Sequence, residues 1–180
     1  MIQVKFAFPT QDHEQKAIEY IQEFHDNLSA INGTGSLDGF LEKATYDAWL
    51  LKVQGDRDIA NVPEGRVPAL TYFYVREDDD KIIGMINIRL YLNDFLQKEG
   101  GHIGYSIRPT ERRKGYGTRM LGEALTFLRP IGLTEITLTC DKENSASAGV
   151  IVNCGGVLED EFYSDKYNQV IQRYRICNTV

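Results

Sequence analysis

The chain has 180 residues, of which 42% are apolar and 26% are charged. This length and this apolar share exclude intrinsic disorder and predict one globular domain over residues 1–180. Twenty Lys and Arg against twenty-six Asp and Glu give a net charge of −6, which argues against partners such as nucleic acid or an anionic membrane.

Strand-like and helix-like hydrophobic patterns alternate along the first half of the chain. They predict a strand at residues 3–8, a helix at 12–28, a glycine-containing loop at 31–37 and a second helix at 37–53. Two β-rich runs follow at residues 69–75 and 81–90. The acidic turn between them, residues 77–80, predicts an antiparallel hairpin.

The second half continues the alternation. A strand at residues 102–107, ended by Pro109, leads through a basic loop into a helix at 118–128. The pattern then predicts a strand at 136–140, a helix at 144–153 and two strands at 157–163 and 169–176. A helical crossover separates the strands 102–107 and 136–140, so we expect them to be parallel. The predicted fold class is therefore α/β or α+β with a mixed sheet.

Targeting and cysteine signals point to a cytoplasmic protein. The opening residues MIQVKFAFPTQDH have no basic segment followed by an apolar one, and no stretch approaches the roughly 18 apolar residues of a membrane span. Cys140, Cys154 and Cys177 are widely spaced and odd in number, which favours reduced thiols over a disulfide framework or a metal site. We expect no bound metal.

The sharpest local feature is a basic, glycine-containing loop between a strand and a helix, RRKGYGT. Its residues are Arg112, Arg113, Lys114, Gly115, Tyr116, Gly117 and Thr118. Glycines let main-chain N–H groups approach a ligand closely, and the start of the following helix adds unpaired N–H groups and a positive dipole end. The loop is thus a candidate cradle for phosphate, although a charged surface turn gives the same pattern.

The order strand, basic-Gly-x-Gly loop, amphipathic helix, strand resembles motif A of the GNAT acetyltransferases, whose pattern is [RQ]xxG[YI]G. Arg112, Gly115 and Gly117 occupy the defining positions, and Asn144 and Ser147 match the family's next motif, NxxSxxxxxxxG. The strings ERRKGYGTRML and TCDKENSASAGVIVNCGGVLE also resemble a bacterial group of predicted acetyltransferases with an undefined acceptor. The resemblance implies a twisted mixed sheet of about six or seven strands flanked by helices and splayed between strands four and five.

The resemblance also implies acetyl-CoA as co-substrate, bound in that splay. Main-chain groups of Ile107 would then contact the pantetheine arm, and a main-chain N–H near Tyr105 or Ser106 would contact the reacting carbonyl. The loop 112–118 would hold the pyrophosphate, with solvated charges or contacts to the ribose phosphate as the alternative roles of Arg113 and Lys114. Asn144 and Ser147 would contact pantetheine, although Asn144 also fits an ordinary helix N-cap. Gly104 inside the strand predicts a bulge or a close approach of another backbone.

Acetyl transfer to an amine requires a base and a proton donor for the departing thiolate. His102 is the candidate base because it lies on the splayed strand, although an isolated histidine is commonly structural. The family's usual acid, a tyrosine, is replaced here by Ile151. Tyr105 and Tyr163 are therefore the candidate acids, with packing as the alternative role.

For the acceptor, the loop 32–36, Trp49 and Arg89 are candidate pocket residues. Arg89 would favour a carboxylate or phosphate on the acceptor, unless it is a surface arginine. The resemblance to the GNAT family thus implies an acetyl-CoA-dependent N-acetyltransferase that acts by direct transfer on an amine of a small molecule or peptide. A weakly active acyl-CoA-binding sensor and a nucleotide-binding protein are the alternatives. Assembly into a homodimer stays open.

Overall fold

A computed structural model describes residues 2–179 and places seven strands and five α-helices in them. The strands are β1 (Val4–Ala7), β2 (Ala69–Arg76), β3 (Lys81–Arg89), β4 (Ile103–Ile107), β5 (Glu135–Asp141), β6 (Val157–Ser164) and β7 (Gln169–Cys177). The α-helices are α1 (Glu14–Asp26), α2 (Leu37–Lys43), α3 (Tyr46–Gly55), α4 (Tyr116–Leu128) and α5 (Ser145–Asn153). None of the helices in the described part of the chain is both long and apolar enough to cross a bilayer.

Most predicted elements are confirmed, and the differences lie at their ends. The helix predicted at 37–53 is two helices, because Thr45 breaks the pattern and caps α3 by accepting a hydrogen bond from the Ala48 N–H at 3.2 Å. The first helix ends at Asp26, and Leu28 beyond it is exposed with a φ of 50°. A turn of π-helix at Leu96–Gly100, not predicted, lies between β3 and β4.

The strands form two sheets, with the orders β1-β2-β3-β4 and β5-β7-β6, and every registered pair of described strands is antiparallel. The single mixed sheet that we expected is thus divided between β4 and β5. At their first residues the two strands meet, where the His102 N–H donates to the Thr137 carbonyl at 2.7 Å. No ladder follows in residues 103–107, so the predicted parallel pairing is reduced to this junction and the predicted splay is confirmed.

Two apolar cores cover the two faces of the first sheet. On one face, α4 and α5 pack against both sheets through residues that include Ile86, Met120, Leu138 and Ile151. On the other face, α1, α2 and α3 pack through a second cluster that includes Phe24, Trp49, Phe73 and Met85. Beyond the His102–Thr137 hydrogen bond β4 and β5 are not paired, and we call the space between them the β4–β5 gap.

Candidate active site

The edge of β4 presents main-chain groups to the β4–β5 gap. The main-chain N–H of Arg89 donates to the His102 carbonyl at 2.7 Å, and the main-chain N–H of Arg108 donates to the Ile83 carbonyl at 2.9 Å. In an antiparallel pair, alternate residues bond to the partner strand, so the main-chain groups of Tyr105 and Ile107 face away from β3. These are the groups to which an extended ligand in the gap can bond.

The side chain of Tyr105 crosses the gap to α5. Its hydroxyl lies 3.1 Å from Ser147 Oγ and 3.3 Å from the Ser147 carbonyl. Burial raises the pKa of Tyr105, so the hydroxyl stays protonated at neutral pH. Asn144 caps α5, since its side-chain oxygen accepts from Ser147 N–H at 3.0 Å. The structure therefore brings the Tyr105 side chain, from β4, across the gap to Asn144 and Ser147 at the start of α5.

The loop before α4 leaves its main-chain donors free. Within residues 2–179, none of the six N–H groups from Arg113 to Thr118 donates a hydrogen bond, and the first bonded amide is Arg119, which donates to the Gly115 carbonyl at 3.1 Å. Gly115 has a φ of +80°, and no atom lies within 4 Å of the position its Cβ would take. We call residues 113–118 the cradle, and its free amides at a helix start fit a phosphate group.

The three basic residues of the loop have different environments. Arg112 donates to the Ile107 carbonyl at 3.1 Å and to Ser29 Oγ at 2.7 Å, so it ties the end of β4 to the loop after α1. Lys114 bonds to the buried Glu111 carboxylate at 2.9 Å. In the described chain Arg113 forms no ion pair or hydrogen bond through its side chain.

Gly117 and Tyr116 have packing roles in addition to their place in the cradle. A Cβ on Gly117 would lie 3.0 Å from Val150 Cγ2 and 3.7 Å from Ile107 Cγ1, so the missing side chain lets α4 approach both α5 and β4. Tyr116 is buried in the core beneath the helix start. The Thr118 carbonyl accepts from Cys154 Sγ at 3.4 Å. The glycines thus serve two needs, a bare loop and a close helix contact.

On the other face of β4, the loop 32–36 covers the strand. Ser106 Oγ donates to the Asn32 carbonyl at 2.6 Å, and Tyr20 in α1 donates to the Ser106 carbonyl at 3.1 Å. Gly33 packs against the Gly104 main chain so closely that a Cβ on Gly33 would lie 2.3 Å from the Gly104 oxygen. The predicted close approach at Gly104 is present, and the β3–β4 register has no shift there. The Ser106 side chain faces this loop rather than the gap.

His102 lies at the junction of the two sheets. Its Nδ1 accepts from Thr137 N–H at 3.0 Å, and burial lowers its pKa, so the imidazole is neutral at pH 7. The ring lines a cavity of about 1190 Å³ whose other walls are the residues after β3 and the second sheet, including Tyr91, Lys98 and Arg173. None of the cradle residues lines that cavity. The structure gives His102 a joining role and does not bring it to the cradle.

Two other predicted residues lie away from the gap. Tyr163 is on β6, which is separated from β5 by β7, and its exposed hydroxyl bonds to Asn168. Trp49 is completely buried, so it cannot line an acceptor pocket as predicted. Its indole N–H instead donates to the carbonyls of Thr34 and Gly35, both at 3.1 Å, and holds the loop 32–36 in place.

Glu99 is a residue of this region that sequence reasoning missed. Its carbonyl accepts from Thr139 Oγ1 at 2.9 Å, which lays the π-helical turn against β5. Its carboxylate accepts from Ser164 Oγ at 2.6 Å. No local sequence signal marks Glu99, since the surrounding segment is polar and aperiodic. Tyr20 could have been found, because it shares the spacing of Ala17 and Phe24 on the buried face of α1.

Comparisons with known proteins agree with this geometry. Residues 40–155 match the Acetyltransferase (GNAT) family, which is more than half of the chain. No curated protein matches the sequence significantly. In the described residues no group of three or more His, Cys, Asp or Glu side chains could hold a metal ion.

Solved structures share the fold at low sequence identity. The chain is similar to RimL, a ribosomal L7/L12 α-N-protein acetyltransferase in complex with coenzyme A, with a TM-score of 0.69 and 17% identity over 97% of this chain and 93% of that one. It is similar to ribosomal-protein-S5-alanine acetyltransferase from Vibrio fischeri, with a TM-score of 0.69 and 17% identity over 99% and 94% of the two chains. It is also similar to the microcin C7 self-immunity acetyltransferase MccE in complex with acetyl-CoA and AMP, with a TM-score of 0.67 and 15% identity over 97% and 92%.

The family match covers the gap, the cradle and α5, and the fold of these acetyltransferases has the same arrangement of strands and helices. The predicted fold class is thereby confirmed. The chain belongs to the GNAT family of acetyltransferases, whose acyl donor is acetyl-CoA.

Proposed function

We propose that the chain transfers the acetyl group of acetyl-CoA directly to an amine of a small molecule or peptide. The observation that carries the proposal is the run of six free N–H groups at residues 113–118, beside the exposed edge of β4. Free amides at a helix start bind a diphosphate, and a free strand edge binds the amides of a pantetheine arm. One extended ligand in the gap would bind both.

The residues around the gap divide the work. The cradle would hold the pyrophosphate, with Arg113 as the cation free to pair with it and Lys114 already paired with Glu111. The main-chain groups of Tyr105 and Ile107 would hold the pantetheine arm and orient the thioester. Asn144 and Ser147 form the opposite wall.

Tyr105 is the residue that we assign to proton donation. Its hydroxyl lies in the gap between β4 and α5, and its raised pKa keeps it protonated. Position 151, where the family's tyrosine acid usually stands, is a completely buried isoleucine and cannot supply a proton. His102 we assign a structural role, because its Nδ1 is bonded to Thr137. The amine would attack in its uncharged form and release its surplus proton to water, while the departing thiolate would take a proton from Tyr105.

Binding of coenzyme A can be tested by placing a negative charge in the cradle. Gly115 accepts a side chain into open space, and Asp and Asn both tolerate its positive φ. Gly115→Asp should weaken coenzyme A binding by calorimetry at least about 10-fold, since one like charge faces the diphosphate, while the isosteric Gly115→Asn should change it little. Equal affinities for the two variants would argue against the cradle.

Catalysis is tested by release of the coenzyme A thiol from acetyl-CoA across a panel of amines. Release that depends on the amine supports the transferase. The buried Ile151 favours a second candidate, an acyl-CoA-binding sensor, which would bind coenzyme A without amine-dependent release. Failure to bind coenzyme A at all would overturn both candidates.

A further inference from the structure

Arg89 is a largely buried cation to which the described chain supplies no carboxylate. Its Nη1 donates to the carbonyls of Gly100 and Gly101 at 3.1 and 2.9 Å, and no acidic oxygen of residues 2–179 forms an ion pair with it. Burial disfavours the charged form and lowers the pKa of this side chain. A buried charge without a counter-ion is unfavourable unless a ligand supplies one.

The remaining donors of Arg89 have no partner in the described chain. Nε and Nη2 form no hydrogen bond with described residues, and no buried side-chain nitrogen lacks a partner, so these two atoms retain solvent contact. The planar pair that they form fits a carboxylate or phosphate with two parallel hydrogen bonds.

A second donor, the Gly33 N–H, also lies near Gly104. The Gly33 nitrogen is 3.5 Å, and Arg89 Nη2 is 4.0 Å, from the position that a Cβ on Gly104 would take. The Gly33 N–H donates to no atom of the described chain. Both donors therefore adjoin Gly104, and the next residue, Tyr105, turns its main chain into the β4–β5 gap. An anion held here would lie close to the reacting end of the gap, on the face opposite α4 and α5.

We propose that the acceptor is a small amine that carries a carboxylate or phosphate a few bonds from its nitrogen, and that Arg89 and the Gly33 amide bind this anionic group. The inference rests on the proposed acetyl transfer for the identity of the site. The net charge of −6 makes such local neutralisation necessary for an anionic acceptor.

Turnover tests the proposal with matched pairs of amines. The pairs are β-alanine against β-alaninamide, and O-phosphoethanolamine against ethanolamine, compared at equal concentrations of free amine. In the wild type, kcat/KM should favour one anionic member by about 10- to 100-fold, the range of a charge-assisted hydrogen-bond pair. The pair that shows the preference identifies carboxylate or phosphate.

Variants assign the preference to Arg89. Arg89→Gln should raise KM for the anionic amine and bring the preference close to one, because kcat/KM falls much less for the neutral partner. Unchanged binding of coenzyme A by calorimetry shows that the variant is folded. Arg89→Lys should retain part of the preference. Arg129→Gln, at an exposed site after α4, should leave every value unchanged. A wild type without preference, or an Arg89→Gln variant that loses both members equally, would overturn the inference.

Binding separates this inference from the proposed function. Calorimetry of β-alanine and O-phosphoethanolamine with the coenzyme A-loaded protein should give heat that Arg89→Gln abolishes. Such heat without amine-dependent thiol release would support the anion site and overturn the transfer reaction. Amine-dependent thiol release without a preference for the anionic amine would support the transfer reaction and overturn the anion site. If neither heat nor thiol release is observed, both the anion site and the transfer reaction are overturned.

Discussion

Single glycines decide how closely α4 can approach its neighbours. Gly117 faces Val150 and Ile107 at contact distance, whereas Gly122, one and a half turns later in the same helix, has no atom within 4 Å of its Cβ position. We therefore expect Gly117→Val to destabilise the protein by about 1–3 kcal/mol through overpacking, and Gly122→Val to be nearly neutral. Urea unfolding measures both. An equal loss of unfolding free energy in the two variants would show that Val150 can move aside to accommodate the larger side chain.

Glu111 is the carboxylate on which the start of the cradle loop depends. Its side chain is 5% exposed and lies 2.9 Å from Lys114 Nζ, 3.0 Å from Arg76 Nη1 and 3.2 Å from Lys81 Nζ. Burial alone would raise the pKa of this carboxyl, but hydrogen bonds from Lys114, Arg76 and Lys81 outweigh burial and lower the pKa to about 2. The charged form is thus favoured by folding.

The sign of the pH dependence follows from that pKa. A carboxyl whose pKa is lower in the folded than in the unfolded state stabilises the folded state. This stabilisation is complete above about pH 5 and is lost as the pH falls towards 2. We expect at most about 3 kcal/mol from this group, measured as the difference in urea stability between pH 7 and pH 2.5. Glu111→Gln should be less stable at pH 7 and should show a correspondingly smaller acid loss. If the variant loses as much stability between pH 7 and pH 2.5 as the wild type, other carboxyls are responsible for the acid sensitivity.

At the scale of elements, β4 and α5 are connected across the gap by one tyrosine hydroxyl. Tyr105→Phe removes the proton donor that we assign while keeping the ring in the core. General acid catalysis contributes about 10²–10⁴-fold, and a thiolate is a tolerable leaving group, so we expect the lower end, roughly a 100-fold loss of kcat. Binding of coenzyme A, measured by calorimetry, should change much less.

Tyr163→Phe is the matched control for that experiment, because its hydroxyl lies on β6 and bonds to Asn168. It should retain wild-type kcat. Should Tyr105→Phe keep full kcat as well, water rather than a side chain must protonate the thiolate, and the hydroxyl of Tyr105 would only brace the gap against Ser147.

The elements also show what local sequence can predict. The β2–β3 hairpin and α4 follow from periodicity and turn residues, and the cradle follows from glycines placed between a strand and a helix. The π-helical turn that presses Glu99 onto β5 depends on a long-range hydrogen bond from Thr139, which no local period encodes. The prediction that Trp49 lines the acceptor pocket is wrong for a related reason. An aromatic residue has the same local sequence pattern in a buried core and at a pocket wall.

For the whole molecule, the His102–Thr137 junction is where the two sheets meet through main-chain hydrogen bonding. The His102 N–H donates to the Thr137 carbonyl, and the ring accepts the Thr137 N–H in return. The sheets are also joined by the contacts of Glu99 with Thr139 and Ser164, and through the core beneath α4 and α5. A ligand that binds on both sides of the gap adds a further connection between the sheets. At a free concentration of 100 times its Kd, such a ligand stabilises the folded state by about 2.7 kcal/mol. The junction thus holds the two sheets together at one end of the gap.

Acid should loosen this junction. Burial, together with the nearby Arg89 guanidinium, lowers the pKa of His102, so folding favours the neutral ring and its stabilisation is present above about pH 6.5. As the pH falls below that value, protonation at Nδ1 removes the acceptor of the Thr137 N–H. Hydrogen exchange of the Thr137 amide, corrected for the intrinsic pH effect, should therefore accelerate between pH 7.5 and 5. The Tyr174 amide, within the central strand β7, should keep its protection. In His102→Phe the Thr137 amide should exchange fast at every pH, and a pH-dependent Thr137 amide in that variant would assign the effect to another group.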